Sequence, residues 1–549
     1  MRPSPWMPPV ELSKREETLL KRFKKRPLFS FLRRHRHRLF DESFQSELAA
    51  MYPEDTEAGG RPPVSPAFLA MVTLLQAYTG LSDADTVEEA VADVRWRITL
   101  DLLGIPEDGK APFSQGALVA FRNRLVARGL DRRLLERTVE LAKETGDFGY
   151  KNLKLALDAS PLFTAGRVED AFNLLGHACR NVLADAAALF GIEPGALADA
   201  AGIPLLAADP TKAGGSLKAR LDVEWERPEA RADAFDRLVG QVMALKTYLE
   251  ARTDLERGPL ASRWAVVAEI LGQDVEPDPE AGPGSYRVKQ GTAAERRPSV
   301  EDGDARHGRK TKQQKFVGYK RHLALDLTSG LVLAAGLAPA NRPEASITEE
   351  VAFDLACYLA PGSAAPLTAV AEQLASLHVD RGYLSSELVR EVRQAGGVVY
   401  CKPFPRRGRP GMFTKAAFRL SLEHHTLTCP AGQTTSAFPG ETSRFGAARC
   451  QTCPLRERCT SSSKGRSVSI HPDEAFFEEL RARQRTPEGR LALRHRVRVE
   501  HALAREIQVQ GRKARYRGTR KNLMAVRLGA TVVNLHALAN LETKMAAAA

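Results

Sequence analysis

Three acidic residues of the chain have the type and setting needed to hold metal ions. Asp158 and Asp380 each end a short alternating apolar run, and Glu500 follows Arg496 by one helical turn. Carboxylate oxygens are the ligands that Mg²⁺ prefers, and two such ions ~3.5–4 Å apart can clamp the attacking and leaving oxygens of a phosphodiester displacement. The three residues therefore predict a two-metal phosphodiester site.

The same residues have ordinary structural readings. An aspartate after a strand is often a turn or capping residue. Arg496 and Glu500 alone could form an exposed helical ion pair, which stabilises a helix by only about 0.2–0.5 kcal/mol. Spacing by itself leaves the catalytic and the structural interpretation open.

The cysteines predict a second metal site. The CxxC pair Cys450 and Cys453 has the spacing of tetrahedral zinc sites, and Cys429 and Cys459 could complete a Cys₄ set. A redox pair is the competing interpretation. The loop-rich surroundings, poor in apolar residues, favour structural Zn²⁺. The remaining three thiols lie in apolar contexts and are predicted core residues: Cys179, Cys357 and Cys401.

The net charge of +13 comes from two segments. Residues 14–38 contain eleven Lys and Arg against two Glu, and residues 481–527 contain fifteen against three, so the rest of the chain is acidic. Charge this concentrated favours a polyanionic partner over a merely solvated basic face. Nucleic acid is the first candidate, and an anionic membrane surface is the second.

Composition excludes several classes of protein. With 43% hydrophobic and 27% charged residues, the 549-residue chain is globular and large enough for several domains. We expect neither a signal peptide nor a membrane span, and seven cysteines are too few for a disulfide scaffold. No phosphate-binding glycine loop or serine-hydrolase elbow is present. A reducing, cytoplasmic setting fits best.

Helices and strands must position these side chains. The first 150 residues predict helices, including Pro66–Thr79, a second helix capped by Ser82 and a third near 114–128. From residue 153 the order is strand, hairpin, helix, strand, helix, strand, which predicts an α/β sheet with parallel crossovers. Such sheets carry their sites at the carboxyl ends of strands, where Asp158 and Asp380 are expected.

Five stretches of the chain, in order, carry a family resemblance. The chain resembles DDE transposases of bacterial insertion sequences, in the large group that joins a helical N-terminal domain to a core with a cysteine-rich insertion. The matching stretches are Gly60–Pro66 through Phe121–Leu125, Leu157–Pro161 with Val168–Leu175, Asp304–Lys310 with Phe316–His322, Val379–Tyr383, and Val499–Leu503 with Ala514–Gly518.

The resemblance implies an architecture and an activity. It implies a helical, DNA-end-binding domain at 1–150 and an RNase H-like mixed-sheet catalytic domain at 151–545. A helical insertion at 159–305 and a cysteine-rich insertion at 405–475 would interrupt that core. Asp158, Asp380 and Glu500 would hold Mg²⁺, while a homodimer cuts the terminal inverted repeats and joins them to target DNA. The bacterial cytoplasm, beside the nucleoid, would be its location.

The resemblance and the basic segments together predict six residues that contact DNA. They are Arg496, Arg498, Lys310, Lys312, Lys320 and Lys513. Related transposases often carry a tyrosine three residues before the arginine and a lysine seven residues after the glutamate, where this chain has Leu493 and Ile507. Two alternatives stay open: a non-catalytic or decayed DNA-binding protein, and an RNase H-like nuclease without strand transfer.

Overall fold

The computed structural model describes residues 3–23, 25–53, 62–106, 109–145, 152–207, 217–221, 223–311, 313–405 and 408–548. Up to residue 145 these residues form eight helices. They are α1 (Lys14–Leu20), α2 (Pro27–Leu39), α3 (Glu42–Ala49), α4 (Pro66–Thr79), α5 (Asp83–Ala92), α6 (Val94–Leu100), α7 (Gln115–Arg128) and α8 (Asp131–Thr145). The predicted starts are confirmed, because Pro66 opens α4 and the Ser82 and Ser114 side chains accept backbone N–H groups at the starts of α5 and α7.

A strand and a helical segment follow. They are β1 (Leu153–Phe163), α9 (Ala171–Phe190), α10 (Pro194–Ala200), α11 (Leu217–Arg220), α12 (Pro228–Glu250), α13 (Ala261–Asp274), β2 (Val275–Pro277) and β3 (Tyr286–Val288). The helices of this segment bury their own apolar cluster, which includes Leu174, Phe235 and Val267. Strands β2 and β3 pair as an antiparallel hairpin directly after α13.

The remaining strands of the main sheet alternate with helices. They are β4 (Arg306–Arg309), β5 (Lys315–Asp326), β6 (Val332–Pro339), α14 (Thr348–Leu359), α15 (Pro366–Glu372), β7 (Leu374–Val379), α16 (Glu387–Gln394) and β8 (Val398–Tyr400). The described strands form a six-stranded sheet in the order β4, β5, β1, β7, β8, with β6 also paired to β5. Strands β1, β7 and β8 are parallel, whereas β4, β5 and β6 run antiparallel to their neighbours. The predicted mixed α/β fold is confirmed.

The last part of the chain contains short strands and then long helices. They are β9 (Arg419–Ser421), β10 (Thr426–Thr428), β11 (Thr434–Ser436), β12 (Thr442–Arg444), α17 (Ala447–Gln451), β13 (Ser467–Ser469), α18 (Glu474–Arg485), α19 (Pro487–His495), α20 (Val497–Gln510) and α21 (Thr519–Ala548). Strands β9 to β13 enclose a small apolar cluster around Leu427 and Phe445, beside three of the cysteines.

Helix α21 packs on both the N-terminal helices and the sheet. It packs against α2, α4 and α8 of the N-terminal region and against β6 of the sheet. One continuous buried cluster therefore includes Phe29, Leu75, Leu155 and Leu535. Helix α20 covers the other sheet face through Val499 and Leu503. No described helix has the length and hydropathy that crossing a bilayer requires.

One sequence expectation about β1 is wrong. The run from Leu153 was expected to end at Asp158, but the strand continues to Phe163. Pairing explains the difference, because residues 155–163 of β1 pair with residues 318–326 of β5 without interruption. Asp158 thus lies inside a strand, whereas Asp380 directly follows β7 as expected.

Candidate active site

The first two predicted carboxylates are neighbours in the sheet. Leu157 of β1 pairs with Val379 of the parallel strand β7, so Asp158 and Asp380 occupy the next positions of both strands. Neighbouring strands are ~4.8 Å apart, which puts the two side chains within reach of one another. The register of this strand pair creates the core of the site.

Arg496 brings the third carboxylate to the same point. Its Nη1 lies 3.0 Å from Oδ2 of Asp158, and its Nη2 lies 3.4 Å from Oδ1 of Asp380 and 2.6 Å from Oε1 of Glu500. Glu500 stands in the first turn of α20, and Arg496 is the residue between α19 and α20. The structure therefore brings all three predicted residues together around one guanidinium group.

The three carboxylates differ in how far they are buried, and burial shifts the pKa of one of them. The side chain of Asp158 is 13% exposed, whereas those of Asp380 and Glu500 are 49% and 46% exposed. Burial raises the pKa of Asp158 to about 6, with Asp380 and Glu500 adding to the rise and Arg496 and the backbone N–H of Ala159 opposing it. Burial alone would lower the pKa of Arg496, but the three carboxylates outweigh it and raise that pKa.

A buried pair of side chains lies close to the site, where burial raises the pKa of Tyr383 and Asp158 and Asp380 add to the rise. The hydroxyl of Tyr383 lies 2.7 Å from Nδ1 of His322, and both residues are fully buried. Burial lowers the pKa of His322 to about 3, so its ring is neutral at pH 7. Tyr383 belongs to the Asp-Arg-Gly-Tyr stretch of the sequence, but nothing in its spacing revealed the contact across to β5.

A fourth acidic side chain beside the site was also missed. A Cβ atom on Gly382 would come within 1.9 Å of Oε2 of Glu344, so the carboxylate of Glu344 packs directly on the glycine backbone. Burial raises the pKa of Glu344, Lys320 opposes the rise and Asp380 adds to it. The glycine two residues after Asp380 was the available sequence signal, because any larger residue there would displace the Glu344 carboxylate.

A second buried arginine fixes the helix that carries Glu500. Arg321 of β5 donates to Glu506 of α20 over 2.6 Å, and both side chains are fully buried. Arg321 also donates to the backbone oxygens of Pro161 and Gly511. These contacts attach the middle and the end of α20 to β1 and β5, so they help to determine where Glu500 lies.

The donor set of the triad suits a hard divalent cation, since three carboxylates have oxygens within 3.4 Å of one guanidinium and two of them are half exposed. As the side chains stand, no group of three or more His, Cys, Asp or Glu within the described ranges is arranged to hold a metal. In the triad, the position between the carboxylates belongs to the guanidinium of Arg496.

The four clustered cysteines line one small cavity. Cys429, Cys450, Cys453 and Cys459 surround a volume of about 30 Å³. Burial raises the pKa of Cys459, and the other three cysteines add to this rise. Of the thiols predicted to be core residues, Cys179 and Cys401 are buried and Cys357 is half-buried.

The N-terminal basic segment contributes much of its charge to structure. Arg33 is buried against Glu16 at 2.6 Å, and Arg36 donates to the backbone oxygens of Ile98 and Thr99. Arg34 pairs with Glu542. Among the described residues of the segment, the exposed cations lie before α2 and are Lys14, Arg15, Lys21, Arg22, Lys25 and Arg26.

The other proposed DNA contacts have different environments. Lys310 and Lys513 are exposed, whereas Lys320 donates to the backbone oxygen of Arg342 and Arg498 to that of Leu327. Lys513 lies beside the end of β1. There the backbone N–H of Phe163 donates to the carbonyl of Arg512, and the N–H of Ala514 donates to the carbonyl of Phe163. Lys312 lies outside the described residues.

Comparison with known proteins gives two family matches. Residues 424–539, which include the cysteine cluster, Glu500 and most of α21, match the family model described as a transposase DDE domain. Residues 20–124, within the N-terminal helices, match the model described as a transposase domain of the DUF772 type. No curated protein and no solved structure gives a significant match. The two matches lie in chain order and together support a DDE transposase of the insertion-sequence type.

Proposed function

We propose that this transposase cuts the ends of its insertion sequence and transfers the strands to target DNA, with Asp158, Asp380 and Glu500 as catalytic residues. The convergence of these three side chains on Arg496 is the observation that carries the proposal. In the cutting step water attacks the scissile phosphorus and a 3′-hydroxyl leaves. In the joining step that hydroxyl attacks a phosphorus of the target, and the target strand's own 3′-oxygen leaves.

Each residue has a distinct part in this proposal. The three carboxylates would hold Mg²⁺, which when bound supplies a Lewis acid and lowers the pKa of the attacking oxygen. Arg496 is close enough to the carboxylates to contact the same phosphate. A guanidinium group can bond two phosphate oxygens at once, which fixes the phosphate for in-line attack.

The proposal extends to the fold and the partners. The sheet supports an RNase H-like core, because β1 pairs on one side with the antiparallel strand β5, which pairs with β6, and on the other side with the parallel strands β7 and β8 in turn. The exposed cations at 14–26, Lys310 and Lys513 would contact DNA phosphates. Because two element ends must be processed together, we propose a homodimer on DNA.

Substitution of single carboxylates tests the activity. D158N and D380N should each lower Mg²⁺-dependent cleavage of DNA carrying the flanking inverted repeats by at least about 10²-fold, because each variant removes a ligand oxygen charge. Both variants should retain DNA binding in a gel-shift assay. D199N is the matched control, since Asp199 is exposed on α10.

The possible outcomes distinguish a transposase from a nuclease without strand transfer and from a decayed DNA-binding protein. Cleavage and joining that both require Asp158 and Asp380 support a transposase. Cleavage without joining by the unaltered protein would indicate a nuclease, and binding without cleavage would indicate a decayed protein. Full activity of D158N and D380N would refute the assignment of the catalytic residues.

We further propose that the four clustered cysteines bind a structural Zn²⁺. The four residues line one cavity of about 30 Å³, and thiolates are the donors that tetrahedral zinc sites use. Because these side chains do not stand in a metal-holding arrangement in the described structure, zinc binding would have to draw them together. The surrounding segment buries only a small apolar cluster around Leu427 and Phe445. A bound metal would supply stability that so small a core lacks.

Metal analysis of the purified protein tests the zinc site. We expect about one equivalent of zinc, as a single Cys₄ site binds one ion. The double variant C450S/C453S should lose it and should unfold at a lower temperature. C357S is the control, because Cys357 lies on α14 and bonds to the Phe353 carbonyl. A metal-free protein with unchanged stability would reject the site and favour a redox pair.

A further inference from the structure

Arg496 is the cation that neutralises the catalytic carboxylates in this structure. Within the described ranges, it is the one Lys or Arg that forms an ion pair with Asp158, Asp380 or Glu500. Its own side chain is only 14% exposed. The group is thus a buried arginine shared by three acids, not an exposed helical pair of Arg496 and Glu500 alone.

The shared arginine stabilises an otherwise unfavourable group of charges. Three carboxylates around one point repel each other, and Asp158 in addition loses hydration on burial. A guanidinium group remains protonated in proteins, so Arg496 can leave the carboxylates only as a cation. Its departure therefore requires a replacement cation for the acids, and it is favoured by a new anion for the guanidinium group.

Mg²⁺ and Arg496 compete for the same oxygens. Mg²⁺ binds its ligands at about 2.0–2.1 Å in near-octahedral geometry. Oδ2 of Asp158, Oδ1 of Asp380 and Oε1 of Glu500 each face a guanidinium nitrogen. Ion binding at these atoms must therefore break or lengthen the arginine contacts.

The position of Arg496 permits such a movement. It is the residue between α19 and α20, and its side chain reaches the carboxylates from this junction. The side chains of Asp380 and Glu500 are about half exposed, so the site is open to solvent at these two carboxylates. A DNA phosphate is the anion that the proposed function brings to this place.

We propose that Arg496 is a resident counter-ion that occupies the carboxylate triad before metal loading and is transferred to a DNA phosphate when the divalent cation binds. The proposal rests on the proposed function, because it takes the triad to be the cation-binding site. Binding of metal and binding of DNA then promote each other, since each removes what holds Arg496 away from the other. The enzyme would be metal-poor without DNA and metal-loaded on DNA.

Titration calorimetry of the full-length protein with Mn²⁺ alone tests the first half of the proposal. R496Q should bind Mn²⁺ about 5- to 150-fold more tightly than the unaltered protein, the range of typical coupling between two sites. R494Q is the matched control, because it removes an exposed arginine of α19 two residues away. Its Mn²⁺ affinity should equal that of the unaltered protein.

A second variant and a second measurement keep the test valid even if R496Q folds poorly. R496K keeps the charge on a compact ammonium group that cannot bridge three carboxylates, so its Mn²⁺ affinity should lie between the other two. The rise in unfolding temperature on adding Mn²⁺ should follow the same order, because ligand binding stabilises the folded state. Equal Mn²⁺ affinity of R496Q, R494Q and the unaltered protein would overturn the proposal.

Addition of DNA tests the second half. A duplex carrying the flanking inverted repeat should raise the Mn²⁺ affinity of the unaltered protein and should have little effect on that of R496Q. An equal effect on both proteins would overturn the transfer of Arg496 to DNA. D158N should bind Mn²⁺ poorly, both alone and combined with R496Q. If none of the proteins binds Mn²⁺, the metal site and the proposed function fail together.

Discussion

Single side chains around the triad differ chiefly in their exposure to water. Asp158 is nearly buried inside β1, and its pKa is raised by that burial, whereas Asp380 and Glu500 are half exposed. The sequence predicted all three residues but could not predict this difference. Strand register and helix position, rather than residue type, decide which carboxylate loses its water.

His322 provides a residue-scale prediction about pH. Burial holds its folded-state pKa at about 3, well below the ordinary value of 6.5. A depressed histidine pKa means that the unfolded chain binds the proton first, so stability is complete above pH 6.5 and is lost as the pH falls toward 3. The loss is up to about 1.4 kcal/mol for each pH unit within that window.

Thermal unfolding of H322N between pH 7.5 and pH 4.5 measures this effect. The variant keeps an acceptor for the hydroxyl of Tyr383, and its unfolding temperature should fall less with acidification than that of the unaltered protein. H424N is the control, because His424 is exposed and should leave the pH dependence unchanged. Identical pH profiles for H322N and the unaltered protein would contradict the role of His322.

At the scale of elements, α20 is held by the buried pair of Arg321 and Glu506. Gly529 of α21 lies against Glu506, where a Cβ atom would come within 3.0 Å of its carboxylate. The sequence indicated a basic helix around Glu500, but the acid at 506 gave no sign that its partner lay 185 positions earlier in β5. Long-range pairing of this kind depends on packing that local patterns do not encode.

Removal of Arg321 should therefore lower the free energy of unfolding. R321M leaves the carboxylate of Glu506 and two backbone oxygens without their donor, and we expect a loss of about 3–5 kcal/mol in the free energy of unfolding. The control R505M changes an exposed arginine of the same helix and should have little effect.

A second substitution distinguishes charge pairing from packing. R321M/E506M replaces both charges with side chains of similar length and should recover part of the lost stability, because no buried charge is left alone. Denaturant unfolding monitored by circular dichroism gives the comparison. If R321M unfolds at the same denaturant concentration as the unaltered protein, the pair does not hold α20.

For the whole molecule, the N-terminal helices and the sheet share one hydrophobic core through α21. Arg520 and Arg527 of α21 both bind Asp131 of α8, and Arg527 also binds Asp354 of α14. Helical periodicity predicted α4, α5 and α7 with nearly correct limits. It could not show that a helix more than 400 residues later would complete their packing.

The shared contacts predict how the molecule responds to loss of Asp131. D131N should lower the free energy of unfolding by about 3 kcal/mol, because it removes the charge that pairs with two arginines at the boundary. Limited proteolysis should then release the N-terminal helices sooner than in the unaltered protein. D185N, an exposed acid on α9, is the control. An unchanged cleavage pattern for D131N would show that apolar packing alone holds this boundary.

The position of α21 also affects the timing of synthesis. Ribosomes make the N-terminal helices first, yet Tyr78 of α4 meets His536, 5.1 Å away between ring centres, only after α21 has been made. Glu500 is likewise made after Asp158 and Asp380. A chain whose translation stops before α21 would expose apolar surface and lack its docked N-terminal helices. Under the proposed function, the ability to cut DNA would thus be acquired only after α20 and α21 have been made, and products that stop earlier would be inactive.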